Sequence, residues 1–250
     1  MHDGLLLRDV LVQTHVVAGF ASLLFFWIPL LTRKGSTPHK RFGILFYYVG
    51  CYTAITAVIT AVWALIVYEA PVAGDGNSGS QDLGFLYAAL LFLGMAIFAD
   101  LRMGVRLVRT KNAPERLGTP FDKSVRVVTG LIALWLLGFG IWRLAFTGGH
   151  GGYILCVVLG AIGVLGTPGT LKFLANPSPT PRQWLYKHIE AMIGCGAGFH
   201  VAFVLFGFRR LAAMQWSSGV LSLAVVVAPF VAGFLAVHFW TRSYKLKFGD

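Results

Sequence analysis

Chemistry in this chain is most plausible on one apolar stretch. Residues 180–210 read TPRQWLYKHIEAMIGCGAGFHVAFVLFGFRR, which sets His188, Glu190 and His200 inside a run long enough to cross a bilayer. Ionisable side chains are costly in hydrocarbon, so each is a functional candidate by default. A neutral imidazole suits haem iron or zinc, and a carboxylate beside it suits a base or a further ligand. His15, His39, Asp100 and His238 stand in or at the ends of other apolar runs.

Those side chains need helices to hold them. Of 250 residues, 56% are apolar and 12% charged, and the mean hydropathy is +0.71. A soluble domain of that composition would have a largely greasy surface, so the expectation is an all-α, polytopic membrane bundle forming a single domain over 1–250. The net charge of +11 does not point to nucleic acid, because Lys and Arg cluster between apolar runs rather than on one polar face. Cys51, Cys156 and Cys195 fall within apolar segments and form no CxxC pair, so neither a disulfide framework nor a thiolate metal site is expected.

Runs of roughly 20 apolar residues predict seven spans, at about 10–31, 42–68, 84–107, 125–147, 152–174, 184–208 and 218–240. The first is longer than a signal-peptide core and lacks a basic leader, so it is expected to be a retained helix. With the N-terminus outside, 17 of the 21 Lys and Arg lie on the inner side, which predicts an N-out, C-in protein of a bacterial-type inner membrane. Arg209 and Arg210 oppose that assignment. Thr37-Pro38, Thr119-Pro120 and Thr180-Pro181 each precede an even-numbered span. Thr is a good N-cap and Pro fits the first helical position, so these steps are expected helix starts. The stretch 74–82 and the glycine turn holding His150 read as outer loops.

On this topology the intramembrane polar residues form two layers. In the outer layer, His15 and His200 are expected at about the same depth, each with a glycine one turn deeper, Gly19 and Gly196. Opposed imidazoles over bare backbone suit a haem b held by two axial ligands. The plain alternative is close helix packing at the glycines with polar groups bonded across the bundle. The inner layer holds His39, Asp100, His188, Glu190 and His238, with Arg41, Arg102 and Lys172 near the interface. There His39, His188 and His238 are candidate zinc ligands, with Asp100 or Glu190 as the base of a metal-dependent hydrolase. The plain alternatives are an arginine partner for Asp100 and headgroup-level positions for His39 and His238. A third reading makes the carboxylates and histidines the relay of a proton-coupled transporter, or gives the chain a scaffold role. Glycines 160, 163, 166 and 169 recur every third residue and predict a packing seam, while the GCGAG run at 194–198 loosens the sixth span. No GxGxxG, P-loop, HExxH or GxSxG motif occurs.

The run His15-Val-Val-Ala-Gly19, then Arg33-Lys34-Gly35 and His39-Lys40-Arg41-Phe42-Gly43, resembles the opening of a bacterial membrane-protein family called domain of unknown function 2306. Lys40 stands where that family usually has Arg. His188-x-x-x-Met192-Ile193-Gly194, followed by Ala202-Phe203, is similar to the family's later helix. The resemblance implies a helical membrane fold and singles out His15, His39 and His188; it implies no activity and has no counterpart for His200 or Glu190. The first functional expectation is electron transfer or redox sensing through haem on His15 and His200, with the bilayer and a quinone or other redox partner around it.

Overall fold

The computed structural model describes residues 2–69, 84–147, 152–177, 182–208 and 220–250. These residues form helices α1 (His2–Leu31), α2 (Thr37–Glu69), α3 (Gly84–Arg109), α4 (Pro120–Phe146), α5 (Tyr153–Ala175), α6 (Gln183–Ala202) and α7 (Val220–Phe248). A short 3₁₀ turn, Pro114–Arg116, joins α3 to α4, and α6 continues into a π-helical turn, Phe203–Phe208. There is no strand among the described residues. Among the described residues six helices, α1 to α6, are long and apolar enough to cross a membrane.

The seventh expected span, 218–240, falls largely within α7 and is not among those six. That helix runs on to Phe248 and carries Arg242, Lys245 and Lys247 in its last turns. Several helices also begin earlier than the apolar runs do, because helix propensity and capping extend past the hydrocarbon-like segment. The clearest case is α4. Thr119 accepts from the Asp122 backbone N–H at 3.2 Å while the Asp122 carboxylate accepts from the Thr119 N–H, with Pro120 in the first helical position. The Thr37-Pro38 step is displaced by one residue: Ser36 rather than Thr37 caps α2, its hydroxyl accepting from His39 N–H at 3.4 Å and its carbonyl from Lys40 N–H at 3.0 Å, so Thr37 and Pro38 are the first two helical residues. Thr180, Pro181, His150, Arg209, Arg210 and residues 74–82 lie outside the described residues.

The most enclosed helix is α3, which touches α2, α4, α5 and α6 and buries Ala88, Ala89 and Leu101 completely. On one side of it, α1, α2, α3 and α6 close a ring in which each helix touches the next and α6 returns to α1. The ring's interior is aromatic: Phe46 lies 5.7 Å, centroid to centroid, from both Phe26 and Phe199. On the other side, α4 and α5 pack as a pair onto α3, and α7 lies against α6. Gly160 and Gly163 meet Leu137, Ala133 and Phe92 so closely that no Cβ would fit, whereas Gly166 and Gly169 face open space. The expected glycine seam is therefore only its first half. Outward-facing apolar side chains such as Leu24, Leu131 and Leu165 are heavily exposed, the last at 82%. A surface of that kind suits lipid rather than water.

Candidate functional site at the basic end of the bundle

The ends of α1 and α3 and the beginnings of α2 and α6 meet at the end of the ring that carries most of the basic residues. The last carbonyls of a helix have no N–H of their own, and at the end of α1 two of them are taken by side chains. Lys34 donates to Pro29 O at 2.9 Å and to Leu30 O at 2.6 Å, and His39 Nδ1 donates to Pro29 O at 3.1 Å. Gly35, with φ +79°, turns the chain between these helices. Burial holds the Lys34 ammonium below the usual lysine range.

His188 enters from α6, with Nδ1 donating to Gly104 O on α3 at 2.8 Å. His39 and Lys34 lie close enough to act on its ring electrostatically. A carbonyl that takes Nδ1–H leaves the lone pair on Nε2, and that is the arrangement in which histidines ligate metals. The Nε2 atoms of His39 and His188 have no hydrogen-bond partner among the described residues. One turn from His39, Gly43 faces open space where a side chain would stand.

The outer pair is not assembled as its depths suggest. His15 Nδ1 donates to Thr56 Oγ1 at 2.8 Å, and the Thr56 hydroxyl hydrogen goes to a backbone carbonyl of its own helix. His200 lies beside Phe26 and Trp27, with ring centroids 5.7 Å away in each case. Trp27 is 12 residues from His15, ~18 Å along α1. The two spans do not begin at equal heights: Phe20 packs on Phe203 and Phe26 on His200, which offsets α6 against α1. Both nitrogens of His200 are also occupied: Nδ1 donates to Gly196 O at 2.7 Å and Nε2 accepts from Trp27 Nε1 at 3.2 Å. The bare backbone at Gly196 is filled by the Phe26 ring, 2.2 Å from where a Cβ would sit; Gly19 meets only Thr53, at 3.8 Å.

The remaining candidates are dispersed. Glu190 is exposed and pairs with Lys187 at 2.6 Å, and His238 is exposed on α7. Asp100 pairs with Arg126, the arginine partner that its plain reading expects. No group of three or more His, Cys, Asp or Glu side chains capable of holding a metal occurs among the described residues. All three cysteines are free.

Sequence reading did not find a second polar cluster, beside α3. Asp122, besides capping α4, accepts from Arg102 Nε at 2.5 Å and pairs with Arg106 Nε at 2.9 Å. Arg106 also donates to Leu117 O and Arg116 O, fixing the connecting turn. The Thr119-x-x-Asp122 spacing and the Arg102, Arg106 repeat of four were the available signals. Nothing in the sequence marks Trp27 as the partner of His200. Comparison with family models, curated proteins and solved structures gives no match for this chain.

Proposed function

We propose that this chain is a multi-pass protein of the inner, cytoplasmic membrane, N-out and C-in, that carries haem b on His39 and His188 and works in electron transfer or redox sensing. One observation carries this reading: at one end of the ring, two imidazoles from different helices each have Nδ1 fixed on a backbone carbonyl and Nε2 left free. The aromatic interior of the ring supplies the apolar surroundings that tune a haem's potential. The redox partner would be a quinone or another membrane carrier. The same two histidines stand in the motifs that resemble domain of unknown function 2306, as does His15. Haem on the outer pair, as first expected, would require His200 to give up Trp27.

The test is an absorption spectrum of detergent-purified protein made with haem supply, oxidised and after dithionite, with metal analysis of the same sample. The reading predicts a Soret band with reduced α and β bands, lost in His39→Ala and in His188→Ala. A colourless protein with stoichiometric zinc overturns it in favour of the hydrolase reading. A folded protein with neither haem nor metal leaves proton-coupled transport, assayed in vesicles.

A further inference from the structure

Beside α3, on the side away from the histidine ring, a narrow cleft is lined by Arg102, Arg106 and Arg126 and walled by Met103, Leu117 and Leu174. Three guanidiniums face two carboxylates there, and the carboxylates do not exhaust the donors. Asp122 takes only the Nε atoms of Arg102 and Arg106, and Asp100 takes one terminal nitrogen of Arg126. Both terminal nitrogens of Arg102, and Nε and the other terminal nitrogen of Arg126, have no partner among the described residues. The Arg126 side chain is only 10% exposed and lines the cleft.

A guanidinium with free parallel N–H groups recognises a phosphate in bidentate fashion. Arg102 stands at the mouth, 27% exposed, with its guanidinium 4.6 Å from the centre of the Phe121 ring. Phe121 is itself exposed, on the outer face of α4. A free anion gains nothing from the apolar walls or from that ring, whereas a lipid can set its phosphate on the arginines and its chain along them. We infer that this cleft binds the phosphate of an anionic phospholipid, with Arg102 as the principal contact and Arg126 beneath it.

The test is native mass spectrometry of the detergent-purified full chain with added phosphatidylglycerol or phosphatidylcholine of the same acyl chains. Wild type retains phosphatidylglycerol about tenfold more strongly, the scale of one or two basic contacts. Arg102→Gln removes most of that preference, with Arg106 still holding Asp122. Arg116→Gln, the same charge change on a side chain 80% exposed, leaves it intact. Arg102→Lys keeps the charge without the fork and weakens retention severalfold, which covers the case in which the glutamine variant fails to fold. Equal retention of both lipids by wild type overturns the inference, and so does equal loss in the Arg102 and Arg116 variants. Full displacement by millimolar inorganic phosphate overturns it as well, in favour of a free-anion site.

Discussion

The Asp100 carboxylate on α3 is closed against the Arg126 guanidinium on α4, and the arginine is the more deeply buried of the two. This pair joins the histidine ring to the α4–α5 layer. Removing the arginine leaves the Asp100 carboxylate, 30% exposed, without its partner, which costs more than the pair itself contributes. Arg126→Met is expected to destabilise the protein by about 2–3 kcal/mol, toward the low end because Asp100 is partly exposed. Adding Asp100→Asn to it recovers most of the loss. Thermal unfolding in detergent reads both; an additive double variant would show that the two side chains are not coupled.

The histidines divide by what their Nε2 atoms meet. His200→Phe keeps an aromatic ring against Phe26 and Trp27, and the haem proposal expects its Soret band unchanged. His39→Ala and His188→Ala lose that band. Spectra of the three variants at equal protein concentration decide, and loss of the band only in the His200 variant would return the ligand role to the outer layer.

At Gly196 a methyl group has nowhere to go, because its carbon would meet the Phe26 ring. Gly196→Ala is expected to cost about 1–3 kcal/mol through overpacking. Phe26→Leu in the same chain recovers part of that, since the smaller side chain yields. Gly43→Ala, which meets nothing within 4 Å, changes thermal stability by much less.

The end of α7 is tied to the start of α6. Arg182 donates to Asp250 Oδ1 at 2.8 Å and lies 4.5 Å from the Phe248 ring centre, and Tyr186 donates to Asp250 Oδ2 at 2.5 Å. Gly249, with φ +70°, turns the chain so that Asp250 reaches them. The hydrogen bond from Tyr186, followed by the contact with Arg182, holds the Asp250 carboxyl below the usual carboxylate range. A carboxylate with a lowered folded value contributes its stability above the unfolded value, about 3.9, and loses it as pH falls through the folded one. The protection of amides 242–250, taken relative to the intrinsic exchange rate at each pH, is therefore expected to fall below about pH 4. In Asp250→Asn that protection is already lowered at pH 7 and shows little further change.

The sequence made the fold legible because lipid leaves so few options: long apolar runs must be helices, and Thr119-Pro120 and Thr37-Pro38 mark their starts. The site was less legible. Depth along each span was a fair guide to which residues lie at the basic end, where His39 bonds to the end of α1 and His188 to the end of α3. It failed for His15 and His200 because the offset of one helix against another is set by packing, here Phe20 on Phe203 and Phe26 on Gly196. His238 was counted with the inner histidines on depth alone, and the rotation of α7 leaves it exposed. Rotation also turns Glu190 outward to Lys187. The role of Trp27 depends on a neighbour 173 residues away, which no local pattern records.

The closed ring has a consequence for biogenesis. Its first three walls are consecutive in the chain and can pair as they leave the ribosome, and α4 and α5 can then settle on the far side of α3 through near neighbours. The fourth wall is α6, which must reach back 98 residues from Cys195 to Ile97 on α3 and 173 residues from His200 to Trp27 on α1. Until it arrives, the structure is a trough open to lipid along one side, with Phe26, Phe46 and Leu101 uncovered. Contacts of such long sequence separation form late, so His188 joins His39 only when synthesis is nearly complete. A nascent chain halted after α5 thus lacks the wall that carries His188 and leaves the aromatic interior open.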